Sequence, residues 1–250
     1  MPAPAEKPRK AAARFLNAGD TALVVEFGDR VDRRLSGLVL ALDERLAAAK
    51  VPGVVETVPT LRSLMVHYDP AVTTHDALEA RIQPLLAGLE GRPTLGRSWT
   101  IPVCYEAPVG PDIEDVAGRI SRTARAVAEL HASVRYRVYM LGFVPGQPYM
   151  GDLPDALHLP RRENPRTAVP PGSVAIATTM TTIYPLESPG GWHLIGRTPV
   201  RLFDASRGPP VLLAPADEVS FRPISLAEFQ ALEAAAAAGN WRLPAEGGAA

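Results

Sequence analysis

The sequence predicts an α+β domain followed by a closed or nearly closed β-structure and a C-terminal helix. Three observations support this fold class. Strand-like and helical apolar patterns alternate from residue 21 to residue 89. Residues 88–96 contain three glycines and one proline, as expected of a linker. From Gly142 to Asp204, prolines and glycines interrupt short apolar runs at nearly every turn, which is typical of strands joined by shaped loops.

The composition is that of a globular protein of 250 residues, with 46% hydrophobic and 21% charged residues. A formal net charge of -1 leaves no global field to attract nucleic acid or an anionic membrane, so neither is an expected partner. The single cysteine, Cys104, excludes an internal disulfide and a cysteine metal cluster. Residues 1–12 have no apolar signal-peptide core, and no apolar run approaches about 18 residues. We therefore expect a disordered start and a cytoplasmic protein.

The first domain is predicted at residues 13–92. Thr21–Phe27 has the pattern of a strand, and Asp32–Lys50 has four leucines at helical spacing. Two further strands and a second helix are predicted at Val54–Val58, Ser63–Tyr68 and Thr73–Leu89. The resulting order is β, α, β, β, α.

Three details of this domain can be tested. Thr73 and Asp76 are expected to cap the second helix, and Pro84 is expected to kink it or end it late. The next strand, Ser98–Tyr105, would either complete a ferredoxin-like split βαβ unit or begin the second domain.

The second domain is predicted at residues 93–224, with a C-terminal helix and tail at residues 225–250. The predicted elements are helices at Asp112–Ile120 and Thr123–His131, and strands at Tyr136–Leu141, Ser173–Ala177, Pro210–Leu213 and Val219–Arg222. Ser225 and Glu228 form a capping box that opens the last helix, and Gly239 ends it. The final residues are expected to be frayed.

Familiar catalytic motifs do not occur in the sequence. It has no GxxxxGK[ST], GxGxxG after a strand, HExxH, GxSxG or CxxC, which leaves an autonomous nucleotide-hydrolysing or metalloprotease site unsupported. The five histidines have no metal-ligand spacing, so we predict no metal. His131 is expected to be a structural group that interacts with a helix dipole. An arrangement of Ser173, His131 and Asp152 would need a geometry that sequence alone does not supply, so no catalytic residue is assigned.

Arginines in the proline- and glycine-rich segment are the candidate anion binders. They are Arg161, Arg162, Arg166 and Arg197. A guanidinium group can bind a carboxylate or a phosphate through two parallel hydrogen bonds. The alternative is that these side chains are solvated loop charges or struts that bind backbone carbonyls.

Four sequence blocks carry a family resemblance: GFVPGQPYMGDLP, PRRENPRTAVPPGSVAIA, IYPLESPGGWHLIGRTPVRLFD and DEVSFRPI. They resemble the family that contains the B subunit of bacterial 5-oxoprolinase, and the same family is also named allophanate hydrolase subunit 1. That family includes an inhibitor of a sporulation histidine kinase and part of the carboxyltransferase region of urea carboxylase. The resemblance extends from about Asn17 to Ile224.

The resemblance implies a ferredoxin-like N-terminal domain and a cyclophilin-like β-barrel. It also implies a hydrolase subunit that works with a homologous C subunit and an A subunit to convert 5-oxo-L-proline to L-glutamate at the expense of ATP. ATP would be bound by the complex, and the chain alone would be inactive. The alternatives are a regulatory protein that inhibits a sensor histidine kinase, or a carboxyltransferase or allophanate-hydrolase type of subunit for urea derivatives.

The resemblance also implies a set of substrate-binding residues. They are Phe143, Pro145, Gly146, Tyr149, Arg161, Arg166, Gly172, Ser173, Tyr184, Ser188, Gly190, Gly191, Trp192, Arg197 and Thr198. We expect Arg166 and Arg197 to bind an anion in one shared pocket, and Tyr184 and Trp192 to form its walls. The backbone of Gly190 and Gly191 is expected to approach the ligand closely.

The chain departs from the family pattern in three blocks. PGFAYLGGLP is replaced by PGQPYMGDLP, AGxQTGIYP by ATTMTTIYP, and PGD by PAD. The changed positions are Gln147, Pro148, Asp152, Thr178, Met180, Thr182 and Ala216. Threonine adopts a positive φ less cheaply than glycine, and the lost glutamine removes a donor and an acceptor. These changes favour recognition of another substrate, or of none, as alternatives.

Overall fold

The chain consists of two compact units, residues 1–94 and 95–250, and each has its own hydrophobic core. The structure, a computed structural model, describes residues 13–91 and 96–243. The predictions of a disordered start at residues 1–12 and of a frayed tail at residues 244–250 lie outside the described residues. So do residues 92–95 of the predicted linker.

The first unit is a four-stranded antiparallel sheet with two α-helices. Its strands are β1 (Arg14–Asn17), β2 (Ala22–Glu26), β3 (Val54–Pro59) and β4 (Ser63–Tyr68), and its helices are α1 (Arg33–Ala49) and α2 (His75–Ile82). A 3₁₀ turn at Gln83–Leu86 follows α2. The strand order is β1-β2-β4-β3. The predicted order of strands and helices from residue 21 onwards is therefore confirmed.

Helix α1 begins where the sequence predicts, because the Asp32 carboxylate accepts hydrogen bonds from the backbone N–H groups of Arg34 and Leu35 at 2.8 and 3.1 Å. The four leucines at helical spacing are buried in the unit's core. The predicted cap of α2 is wrong. Thr74, one residue later than predicted, caps this helix by accepting from the Ala77 N–H.

The edge strand β1 was not predicted, and it bears on the ferredoxin-like assignment. It pairs with β2 in an antiparallel register, from Arg14 opposite Glu26 to Asn17 opposite Leu23. The fourth strand of the sheet thus precedes the predicted run rather than following it, and Ser98–Cys104 belongs to the second unit. The ferredoxin-like assignment is not confirmed and stays a prediction.

The second unit is built on a closed barrel. Its strands are β5 (Ser98–Cys104), β6 (Arg135–Leu141), β7 (Pro148–Gly151), β8 (Arg166–Val169), β9 (Ser173–Ala177), β10 (Met180–Ile183), β11 (Ser188–Gly190), β12 (His193–Arg197) and β13 (Glu218–Ile224). Seven of them close in the order β10-β7-β6-β13-β5-β12-β9, and β9 pairs with β10. Strands β8 and β11 form a separate two-stranded sheet. The predicted closed β-structure is confirmed.

Three helices accompany the barrel: α3 (Ile113–Arg119), α4 (Ala124–Ala132) and α5 (Leu226–Ala237). The Ser225 hydroxyl caps α5 by accepting from the Glu228 N–H at 3.2 Å, as the sequence predicts. The predicted strand at Pro210–Leu213 is wrong, because only an isolated bridge between Phe203 and Val211 forms there. Proline has no N–H to donate to a ladder, and the segment begins with one.

His131 lies inside the barrel core as part of a satisfied polar chain. The Thr181 hydroxyl donates to the Ala175 carbonyl at 3.1 Å, so it accepts from His131 Nε2 at 2.9 Å. His131 Nδ1 then accepts from the Tyr105 hydroxyl at 2.8 Å. Burial lowers the pKa of His131 to about 3, so the ring is neutral. The predicted structural role is confirmed. The two ring nitrogens bind Tyr105 and Thr181, and neither binds Ser173 or Asp152.

Among the residues that the structure describes, no helix combines the length and the apolar composition needed to cross a bilayer.

Candidate functional site

Three of the predicted residues form an aromatic cluster, defined here as Tyr149, Tyr184 and Trp192. Tyr149 comes from β7 and meets the Trp192 ring edge-on, with 5.9 Å between the ring centroids. The Tyr184 hydroxyl lies against Gly190 so closely that an added Cβ at that glycine would overlap it. Glycine is therefore required at position 190 to let the end of β11 approach the phenol.

The two phenols of the aromatic cluster remain protonated at neutral pH. Burial raises the pKa of Tyr149, and burial together with Tyr149 raises the pKa of Tyr184 to about 12. The positive charge of Arg161 opposes both shifts, and that of Arg166 opposes the shift of Tyr184, but burial outweighs them. A neutral phenol beside a cation can donate a hydrogen bond to a ligand oxygen as negative charge develops on it.

Arg166 binds a carboxylate of the chain itself. Its two terminal nitrogens donate to the two oxygens of Asp112 at 2.9 and 2.6 Å. Arg162 adds a third contact at 3.1 Å, and the Leu194 N–H donates to the same carboxylate at 2.7 Å. Asp112 is buried and caps no helical N–H group. Its position just before α3 predicts only a helix start, so sequence reasoning missed this anchor.

Arg197 binds at a different place. Its Nε donates to the Pro171 carbonyl at 2.8 Å, a terminal nitrogen lies 3.3 Å from the Glu233 carboxylate, and its guanidinium group covers the Phe229 ring. It is thus the strut that the alternative interpretation described. It lines a cavity of about 210 Å³ together with Gly172, Thr198 and residues of α5.

The expectation that Arg166 and Arg197 face one shared pocket is wrong. Asp112, which holds Arg166, binds the backbone at Leu194 near the start of β12, whereas Arg197 ends that strand. The two guanidinium groups bind different carboxylates, from the residue before α3 and from α5. Because periodicity and spacing carry no information on such long-range pairs, sequence reasoning could not separate the two arginines.

Gly172 and Thr198 line the same cavity as Arg197. Gly172 has φ +80°, and an added Cβ would overlap the Thr198 carbonyl. Its N–H donates to the Tyr184 carbonyl at 2.7 Å, and the Ser173 carbonyl accepts from the Tyr184 N–H at 2.9 Å. The backbone of Tyr184 therefore joins this region to the aromatic cluster, although its side chain points to Gly190.

The remaining predicted residues are more scattered. Phe143 is 64% exposed on the loop between β6 and β7, with φ +72°, and Pro145 is exposed beside it. Gly146, also at positive φ, packs near Phe203 and Val211. Ser188 is buried, and its hydroxyl has no hydrogen-bond partner within the described part of the chain. Substrate binding by the full set stays a prediction, because the structure brings only part of the set together.

Three of the changed family positions have an unusual backbone. Asp152, Thr178 and Ala216, where the resemblance implies glycine, have φ values of 70°, 54° and 77°. Thr182, the fourth, lies in β10 without a positive φ and donates to the Pro148 carbonyl at 2.7 Å. Positive φ is most easily adopted by glycine, so the chain retains at three positions a conformation that its side chains disfavour.

Residues 13–213 match the family described as carboxyltransferase domain, subdomain C and D. The chain is 36% identical over 224 residues to the B subunit of 5-oxoprolinase from Bacillus subtilis, covering 85% of this chain and 93% of the relative. It is 42% identical over 212 residues to the B subunit of 5-oxoprolinase from Escherichia coli O157:H7, covering 84% and 96%. The crystal structure of TTHA0988 is 39% identical, with a TM-score of 0.73 over 82% of this chain, which spans 40% of that protein.

These matches confirm the resemblance drawn from the four sequence blocks. The matched segment contains every predicted substrate-binding residue and both arginines that bind Asp112. The chain therefore belongs to the carboxyltransferase domain family, subdomain C and D, and is similar over most of its length to proteins named as the B subunit of 5-oxoprolinase.

Proposed function

We propose that this chain is a subunit of an ATP-dependent hydrolase that opens 5-oxo-L-proline to L-glutamate. The observation that carries the proposal is its similarity to two proteins named as the B subunit of 5-oxoprolinase, of which it covers 93% and 96%. The aromatic cluster supports it, since flat apolar rings beside neutral phenols and a cation suit a small cyclic amide.

The chemistry explains why ATP is expected. The carbonyl of a cyclic amide is a poor electrophile, and converting its oxygen to a phosphate ester gives water a better target. That conversion places negative charge on oxygen atoms, which hydrogen-bond donors and cations stabilise. In this chain the Tyr184 hydroxyl and the Arg161 guanidinium group would supply such donors. ATP is proposed as the cosubstrate of the complex, with a homologous C subunit and an A subunit as partners.

Two observations support a multi-subunit complex. The relatives are named as one subunit of an enzyme. The TTHA0988 chain is longer, and the matched region occupies 40% of it, so this fold also occurs joined to further polypeptide. A subunit that acts on urea derivatives is a second candidate, favoured by 28% identity over 250 residues to a protein named urea amidolyase from Lachancea kluyveri, of which the match covers 13%. Inhibition of a sensor kinase stays a prediction.

The test is reconstitution with the A and C subunits, with release of glutamate and ADP as the readout. We expect no turnover by the chain alone and turnover of 5-oxo-L-proline by the complete set. Release of ADP when urea or allophanate replaces 5-oxo-L-proline, with no glutamate formed, would favour the second candidate. No turnover of any of these substrates by a folded, assembled complex would refute the proposed function.

A variant connects the activity to the aromatic cluster. Gly190→Ala introduces a methyl group against the Tyr184 hydroxyl, so the turn and the phenol must separate. We expect the kcat/KM of the complex to fall by about tenfold or more, because misplacement of a positioning group by about 1 Å costs that much. Gly118→Ala is the matched control, since an added Cβ there meets no atom within 4 Å. An equal loss of kcat/KM in both variants would show that the aromatic cluster has no specific role in turnover.

A further inference from the structure

A cavity rich in arginine lies on the segment between β7 and β8. This arginine cavity, of about 230 Å³, is lined by Arg119, Pro160, Arg161, Arg162, Glu163, Asn164 and His193. Its lining has three guanidinium groups and one carboxylate, in a chain whose formal net charge is only -1. The local excess of positive charge favours an anionic ligand.

Two of the three guanidinium groups are partly neutralised by the chain. Arg119 Nε donates to Asp115 at 2.7 Å, and one terminal nitrogen of Arg162 donates to Asp112 at 3.1 Å. Arg161 has no ion-pair partner within the described part of the chain. The whole fork of Arg161, with five N–H donors, therefore remains available to a ligand oxygen.

Two buried polar atoms of residues that line the cavity also have no partner among the residues that the structure describes. They are Nε of Arg162 and Nδ1 of His193, whose residue is only 3% exposed. A buried donor without an acceptor costs about 1–3 kcal/mol, so an unmet guanidinium N–H is expected to have a function or a ligand. An oxyanion in the cavity would accept from Arg162 Nε and from Arg161 together.

His193 adds information about the ligand. Its Nε2 lies 2.9 Å from the Pro160 carbonyl, which can only accept, so Nε2 has the hydrogen. In the neutral ring, Nδ1 is then a bare acceptor. Two donors and one acceptor match an oxyanion that retains a hydroxyl, because its oxygens accept from the arginines while its O–H donates to Nδ1. Inorganic phosphate retains a P–OH at neutral pH, whereas sulfate and acetate have none.

The walls of the cavity are fixed before any ligand arrives. The Arg162 backbone N–H donates to the Gly191 carbonyl at 2.8 Å, and His193 Nε2 donates to the Pro160 carbonyl at 2.9 Å. Asp112 fixes the Arg162 side chain and anchors it to β12 through the Leu194 N–H. Arg162 is therefore preorganised and loses little side-chain entropy on binding, whereas the exposed Arg161 side chain is ordered by the ligand.

We infer that the arginine cavity is a binding site for a phosphate-class oxyanion, either free phosphate or the terminal phosphoryl group of a nucleotide. Its use during turnover rests on the proposed function, whereas phosphate binding by the chain alone does not. The charge of Arg161 acts on both phenols of the aromatic cluster, which links this cavity electrostatically to that cluster.

The test is a calorimetric titration of the full chain with inorganic phosphate, ATP, sulfate and acetate at constant ionic strength and neutral pH. We expect phosphate to bind with a Kd below about 10 mM and sulfate and acetate to bind at least about tenfold more weakly. Tighter binding of ATP than of phosphate identifies a nucleotide as the source, and equal or weaker binding of ATP identifies free phosphate. No phosphate binding, or equal binding of sulfate, overturns the inference.

Two variants and a control locate the site. Arg161→Gln removes an exposed guanidinium group that has no ion-pair partner within residues 13–91 and 96–243, so the fold should be unaffected while phosphate affinity falls about tenfold. Arg162→Lys keeps the charge but removes the Nε–H, and a similar loss is expected. Arg125→Gln, an exposed arginine on α4 paired with Glu129, is the control and should bind within about twofold of the unmodified chain. Unchanged affinity in the first two variants contradicts the assignment.

The two proposals can fail separately. If the chain binds phosphate but the complete complex turns over no substrate, the proposed reaction is rejected and the phosphate site is retained. If the complete complex turns over 5-oxo-L-proline but this chain binds no phosphate, the phosphate site is rejected and the proposed reaction is retained.

Discussion

At the scale of single residues, histidines that look alike in the sequence differ in how many of their ring nitrogens have hydrogen-bond partners in the fold. His131 has both ring nitrogens bonded inside the barrel, to Tyr105 and Thr181. His193 has one nitrogen bonded and the other buried without a partner among the described residues. The two histidines cannot be distinguished by sequence, because each lies at the end or the start of an ordinary element. The unpartnered nitrogen is the reason that His193, and not His131, belongs to the proposed phosphate site.

The buried imidazole of His131 predicts a pH dependence of stability. Its pKa is about 6.5 in an unfolded chain and about 3 in the folded one, because burial disfavours the charged form. Below pH 6.5 the unfolded state therefore binds more protons, and the free energy of unfolding falls as the pH falls, by up to about 1.4 kcal/mol per pH unit. Urea unfolding at a series of pH values measures this slope.

His131→Gln is the comparison for that experiment. Glutamine can donate to Thr181 and accept from Tyr105 but does not titrate, so the slope below pH 6.5 should be shallower in the variant, whatever its absolute stability. Carboxylates contribute equally to both proteins. Parallel pH profiles would show that His131 is not the group responsible.

At the scale of elements, buried carboxylates connect segments that are distant in sequence. Asp112, at the start of α3, holds the arginines of the β7–β8 segment and of β8 to the backbone of β12. Asp217, just before β13, connects this segment to the start of β5. Its carboxylate accepts from the Arg97 backbone N–H at 2.8 Å and from Trp99 Nε1 at 2.9 Å. Breaking such buried pairs leaves uncompensated charge, so these two residues fix how loops meet the barrel.

The hairpin between β9 and β10 allows a direct test of backbone strain. Ala177 pairs with Met180, which leaves Thr178 and Thr179 as a two-residue turn. Only Thr178 of this pair has a positive φ, at the position where type II′ turns favour glycine. Thr178→Gly should therefore stabilise the chain by about 1 kcal/mol, seen as a Tm rise of about 2–4 °C.

Thr179→Gly is the matched control from the same turn. Its φ is not positive, so glycine there relieves no strain and adds flexibility to the unfolded chain, lowering stability by about 0.5–1 kcal/mol. A Tm that falls in both variants would mean that the backbone at Thr178 is not strained.

At the scale of the whole molecule, each of the two compact units has a large hydrophobic core of its own. Leu42 is fully buried in the core of the first unit, and Ile101 is fully buried in the core of the second. All three tryptophans, Trp99, Trp192 and Trp241, belong to residues 95–250. Tryptophan fluorescence therefore reports unfolding of the barrel unit, whereas far-ultraviolet circular dichroism reports both units.

This division predicts separable unfolding. Leu42→Ala should destabilise the first unit by about 3–5 kcal/mol and leave the midpoint of the fluorescence transition unchanged. Ile101→Ala should shift the fluorescence midpoint instead, by a similar energy. A fluorescence midpoint that falls equally in both variants would show that the two units unfold as one cooperative body.

Local sequence patterns determined the order of most helices and strands, because caps, apolar periods and turn residues act within a few positions of each other. They also determined the family, since the four proline- and glycine-rich blocks are specific. Tertiary structure alone decided the edge strand β1, the separation of Arg166 from Arg197 and the anchoring role of Asp112. Each of these depends on pairing with another segment, as with Arg166 and Asp112, which are 54 positions apart. Such pairs are selected by the packing of the whole chain, which no local pattern encodes.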